Sequence, residues 1–162
     1  MWPTQRRCAP GSARPRRRSA ASTSSLVELD QILGAAYELH QRHGLSIKEL
    51  FEPHIRFFIA RLNGDAMACG GVALFDDFAE VKRMYTREAV HGRGIGKTLL
   101  ARLEAEARRA GKRVLRLETG IRQTAAIGLY ERSGFRECGP FGHYSDLPPE
   151  AIETSVFYEK PL

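Results

Sequence analysis

The sequence predicts a mixed α/β domain, a mostly antiparallel sheet flanked by helices, with elements in the order α-α-β-β-β-α-β-α-β-β. Three observations predict it. Asn63-Gly64 separates two β-forming runs, and a type I′ hairpin turn needs positive φ at both central residues. A glycine-rich loop, His91-Gly92-Arg93-Gly94-Ile95-Gly96-Lys97, opens into an apolar stripe of helical spacing. That stripe lies between a third and a fourth strand, and a helical crossover makes such a pair parallel.

The elements follow in order. Ser25-Leu26-Val27-Glu28 reads as a capping box, in which two orphan N–H groups are satisfied reciprocally. Leu26, Leu29, Leu33, Ala36 and Tyr37 continue at helical spacing until Gly44. A second box, Ser46-Ile47-Lys48-Glu49, starts a short helix that Pro53 closes. Strands are expected over 55–62, 66–75 and 78–86, an antiparallel meander turning at Asn63-Gly64 and Asp76-Asp77. After the glycine loop, Ile95, Leu99, Leu100, Leu103 and Ala107 form one apolar face, and Gly111 ends the helix. A strand over 113–119 and a helix over 124–132 come next, stopped by Ser133-Gly134. Two further strands, 135–138 and 155–159, flank a loop rich in Gly and Pro from Gly139 to Pro149.

The chain has 162 residues, one domain's worth, and a formal net charge of +6. The basicity is local. Six arginines and no acid fall within residues 1–25, and the remaining bases and acids are equal in number. Residues 1–25 therefore read as a disordered basic tail and residues 26–162 as the folded domain, without the bulk charge that nucleic-acid binding requires. The Arg- and Ser-rich start resembles an organellar transit peptide, and equally an alternative start-codon choice. No apolar run approaches the roughly 20 residues that span a bilayer. Cys8, Cys69 and Cys138 show neither a disulfide framework nor a metal spacing, so no metal is expected and a reducing, cytoplasmic setting fits.

The loop carries the chemistry. Three glycines at alternate positions remove Cβ atoms where backbone N–H groups converge on a helix start, which makes an anion site. Two nucleotide motifs fail on named residues. A P-loop would need glycine where His91 stands, and a dinucleotide fingerprint would need glycine where Lys97 stands.

A six-residue loop of the form Gln/Arg-x-x-Gly-x-Gly/Ala remains, followed about 25 residues later by Thr119 to Phe135, with its Ala126-Ile127-Gly128-Leu129-Tyr130 and Gly134-Phe135. These two blocks together resemble the GNAT N-acetyltransferase superfamily, over roughly residues 55–162. The resemblance implies the GNAT-like form of the fold above and an acetyl-CoA-dependent transfer to a primary amine of a small molecule or peptide. A non-catalytic acyl-CoA-binding regulatory module of the same fold is the alternative. It further implies that Met84, Tyr85 and Thr86 meet the acetyl-pantetheine arm. His91, Gly92, Arg93, Gly94, Ile95, Gly96 and Lys97 would hold the pyrophosphate, with Gln123 near the pantetheine.

Acetyl transfer also needs a base, because an amine with a lysine-like pKa of about 10.4 is charged at pH 7. By resemblance Glu80 is that base and Tyr130 the partner of the departing thiolate. Glu80 and Met84, four residues apart on a strand, are expected to share a face, and Lys82 is the pairing partner Glu80 would have as a surface carboxylate. His143 and Tyr144 are candidates for the acceptor pocket. A homodimer is compatible with all of this.

Overall fold

The computed structural model describes residues 49–162 and, before them, Val27 alone. The box at Ser25, the helix expected from Leu26, and the start of the second box lie outside the described residues. Glu49–Phe51, where the second helix was expected, form one 3-10 turn.

A six-stranded sheet runs in the order β1-β2-β3-β4-β6-β5. Its strands are β1 Ile55–Leu62, β2 Asp65–Leu74, β3 Ala79–Thr86, β4 Val114–Gly120, β5 Arg136–Cys138 and β6 Ser155–Pro161. The hairpin at Asn63-Gly64 forms as the turn chemistry requires, with φ of 52° and 92°. Helix α1, Ile95–Arg109, crosses from β3 to β4, and these two pair in parallel. Helix α2, Thr124–Arg132, precedes β5. The Gly- and Pro-rich stretch expected as a loop instead holds a 3-10 segment, Gly142–Asp146, and a short helix α3, Pro149–Ile152. Pro149 at the first helical position pre-sets φ there, which offsets the weak propensity of the segment.

Two apolar layers cover the sheet. On one face Leu100, Leu103 and Ala107 of α1 and Tyr130 of α2 pack on Val72, Val81, Leu115, Leu117 and Tyr158. On the other, Phe141, Tyr144 and Phe157 form a smaller cluster with Phe78 and Leu147.

Strand β3 does not keep its alternation. Cys69 pairs with Tyr85 and Gly71 with Lys82, so β3 spends three steps where β2 spends two. The extra residue is a bulge, marked by a positive φ of 53° at Arg83. It moves Met84 to the face of Val81, in the layer beneath α1, and leaves Tyr85 with Cys69 and Ala73. The expectation that Glu80 and Met84 share a face is therefore corrected: an inserted residue reverses the side-chain period beyond it.

A cleft built where two strands part

Strands β3 and β4 are hydrogen-bonded only from Ala79–Leu115 to Val81–Leu117. Both then run on, β3 to Thr86 and β4 to Gly120, without pairing to each other. The gap between them is part of a cleft of about 640 Å³.

At one end stands the glycine loop. Gly92 and Gly94 have φ of 74° and 78°, which only glycine adopts without strain, and a Cβ on either would meet no atom within 4 Å. Among the described residues no side chain caps α1, and Thr98 N donates to Gly94 O at 2.9 Å. The N–H groups of Ile95, Gly96 and Lys97 precede that bond and are left at the cleft wall. Gly96 serves a different need: a Cβ there would lie 3.4 Å from both Leu129 Cδ2 and Thr86 Oγ1, so glycine lets the helix start approach β3 and α2. His91 Nε2 donates to Thr86 O at 2.8 Å and ties the loop to the end of β3. An open concavity of N–H groups on a helix N-terminus fits a phosphate.

Midway, Tyr130 packs its ring on Phe135 with centroids 5.9 Å apart and lines the cleft. Its hydroxyl takes no hydrogen-bond partner among the described residues. Burial, and then the charge of Glu118, pushes its pKa above the ordinary phenol value, so it stays protonated and can donate.

At the far end three buried side chains interlock. Lys82 Nζ lies 2.6 Å from Glu80 Oε1. Lys82 Nζ also donates to the Tyr144 hydroxyl at 2.9 Å, and that hydroxyl donates to Glu80 Oε1 at 3.0 Å. Burial, then Glu80 and Glu118, raise the Tyr144 pKa. Glu80 is 1% exposed and Lys82 7%, yet both line the cleft.

The cleft brings together nearly all the expected residues: Glu80, Met84, Tyr85, Thr86, His91, Gly92, Gly94, Ile95, Gly96, Lys97, Gln123 and Tyr130. Arg93 does not line it. Tyr144 does, while His143 stacks on Tyr144 from outside at 4.0 Å between centroids. Sequence reasoning missed Glu118 and Ser155, and took Lys82 only as a surface partner. The available signal was Lys82 and Glu118 as charges inside strands, which are stable there only when they find partners.

A family model described as "Acetyltransferase (GNAT) family" matches residues 26–135. The chain belongs to the GNAT acetyltransferase family. A protein of Azospirillum brasilense named IAA acetyltransferase is 42% identical over 139 residues, spanning 85% of this chain and 88% of its own. The crystal structure of an acyl-CoA N-acyltransferase from Klebsiella pneumoniae shares 35% identity at a TM-score of 0.74, covering 88% of this chain and 90% of that one. A streptothricin acetyltransferase from Bacillus anthracis, solved in complex with acetyl coenzyme A, shares the fold at a TM-score of 0.59 and 22% identity, covering 73% of this chain and 69% of its own. This GNAT protein is thus an N-acetyltransferase whose acyl donor is acetyl-CoA, a catalyst rather than a regulatory module. Among the described residues no helix is long and apolar enough to cross a membrane.

Proposed function

We propose that the enzyme transfers the acetyl group to a primary amine by direct attack on the thioester, within the cleft between β3 and β4. The observation that carries the reading is the continuity of that cleft, from the uncapped start of α1, past the Tyr130 hydroxyl, to Glu80 and Tyr144. The N–H groups of Ile95, Gly96 and Lys97, with Gly92 and Gly94 leaving room, hold the pyrophosphate. Met84, Tyr85 and Thr86 flank the pantetheine arm, with Gln123 across the cleft. Holding both reactants in one groove itself lowers the barrier by roughly 7–11 kcal/mol.

Glu80 takes the proton released by the amine as nitrogen bonds to the carbonyl carbon. Tyr130 donates to the sulfur as the carbon–sulfur bond breaks, giving an acetamide and the CoA thiol. Residues 26–162 form the transferase domain in this reading and residues 1–25 a tail. We place the enzyme in the cytoplasm, since Cys69 and Cys138 are free thiols. A homodimer is included in the reading, and light scattering checks it. Thiol release from acetyl-CoA, followed across amines, amino acids, polyamines and peptides, tests the whole. Transfer only to hydroxyl or thiol acceptors would sink the amine assignment.

A further inference from the structure

The donor reading leaves one cation of the cleft without work. Arg132, the last residue of α2, lines the cleft, and its guanidinium enters no ion pair or hydrogen bond among the described residues. Arginines elsewhere on the domain are committed: Arg102, Arg108, Arg109 and Arg116 each reach a glutamate.

The place of that guanidinium is set by a glycine. The Arg132 side chain folds back along α2, as helical side chains do, onto Gly128 one turn earlier. A Cβ on Gly128 would lie 2.9 Å from Arg132 Nη1, 3.6 Å from Cζ and 3.7 Å from Nη2, so the guanidinium takes the room a side chain would fill. No positive φ calls for glycine at 128, and in mid-helix glycine is unfavourable beside alanine because it costs backbone entropy. The next residue, Leu129, meets the start of α1: its Cδ2 lies 3.4 Å from where a Cβ on Gly96 would be. Arg132 thus stands one turn of α2 from the contact that joins α2 to the glycine loop, beside the N–H groups that take the diphosphate rather than among them.

Such a placement suits a second anion, one sugar away from the first. The ribose of CoA carries a phosphate monoester on its 3′ carbon besides the diphosphate on its 5′ carbon. A phosphate monoester holds about −1.5 to −2 charge at pH 7, and the planar fork of a guanidinium meets it by two parallel hydrogen bonds. We propose that Arg132, resting on Gly128, forms a second anion subsite that takes the 3′-phosphate of the donor, so that the enzyme distinguishes CoA from its 3′-dephospho form. The proposal deepens the donor half of the reading above: it rests on the diphosphate lying at the start of α1 and owes nothing to the acceptor. A basic residue in the last turn also complements the helix dipole. That role alone predicts a loss of stability when Arg132 is removed and no change in ligand preference.

Calorimetry with CoA and with 3′-dephospho-CoA tests the subsite, since neither ligand turns over. The wild type should bind CoA about five- to tenfold more tightly at about 50 mM salt, and the preference should shrink toward unity at about 0.5 M, because Arg132 is exposed. Arg132→Gln should erase the preference by weakening CoA alone, with the Kd for dephospho-CoA unchanged. Gly128→Ala leaves every charge in place and should lower the preference part-way, because the new carbon pushes the guanidinium from its rest. Lys97→Gln, which removes another cation of the cleft, should weaken both ligands alike.

The wild-type comparison decides the matter even if a variant does not fold. Equal affinity of the wild type for the two ligands overturns the subsite. An Arg132→Gln variant that keeps the preference does the same, and so does one that weakens both ligands alike, which would put the guanidinium on the diphosphate. Loss of the preference in Lys97→Gln would move the subsite to α1 and overturn its assignment to Arg132. An unaltered preference in Gly128→Ala overturns the part given to the glycine. Binding of neither ligand overturns the donor site itself, and this proposal with it.

Discussion

Lys82 and Glu80, two residues apart on β3, form a buried ion pair at 2.6 Å, and one tyrosine hydroxyl, that of Tyr144, bonds to both members. A strand that carries charge at alternate positions ordinarily shows it to water. Here Tyr144, delivered by the segment before β6, closes over the pair, and its own surroundings are Phe141 and Phe157. The arrangement costs desolvation, and geometry must offset it.

Removing one partner should therefore be worse than removing all three. Lys82→Met leaves Glu80 buried without its counter-ion and should cost about 3–5 kcal/mol in urea unfolding. Replacing the set together, Glu80→Leu with Lys82→Met and Tyr144→Phe, should recover most of that loss while transferring no acetyl. Equal destabilisation by the single and triple variants would show that packing, not charge, dominates.

Tyr130→Phe should separate chemistry from binding. The hydroxyl holds nothing else among the described residues, and the ring contact with Phe135 survives the change. Stability and the Kd for acetyl-CoA should hold, while kcat falls roughly 10²-fold or more, the range of a positioned proton donor. An unchanged kcat would remove Tyr130 from the reaction.

Alkaline unfolding should begin near the ordinary phenol value. Tyr130 and Tyr144 both titrate above the usual 10.0 when folded, so the folded chain keeps protons that the unfolded chain releases. Stability contributed by these groups is complete below that value and is lost above it, at about 1.4 kcal/mol per pH unit for each group. A pH series of urea melts checks this, and Tyr130→Phe should lessen the slope.

Gly94→Ala should act on the loop through backbone alone. The site has open space for a Cβ, but a φ of 78° is costly for alanine, about 1 kcal/mol. Strain released by leaving that conformation would turn N–H groups away, so the Kd for acetyl-CoA should rise several-fold. Calorimetry reads it, and an unaltered Kd would show that the loop keeps its shape without glycine.

The elements were legible where local chemistry is decisive. Asn63-Gly64 dictates its turn, and the apolar spacing from Ile95 to Ala107 dictates α1. The site was legible where backbone carries it, in Gly92, Gly94 and Gly96. It was not legible where a side chain's direction depends on register. Nothing in Lys82-Arg83-Met84 announces that Arg83 will take φ of 53° and reverse the faces, because the bulge is imposed by pairing with β2. Glu118 was invisible for a related reason: its place in the cleft comes from β3 parting from β4, a property of two strands together. Tyr144 sat in a segment whose Gly and Pro content reads as irregular, and its structure comes from burying Phe141 and Tyr144 against Phe157.

The place of β6 has a consequence for how the chain is made. This strand, last of the six in sequence, lies between β4 and β5, and among the described residues β5 has no other sheet partner. Until residues 155–161 have left the ribosome, β4 presents an open edge and β5 has nothing to join. Ser155, which orients Glu118, arrives with the same strand. The nascent chain therefore carries its glycine loop and Tyr130 for some time before the strand that completes the cleft wall is made.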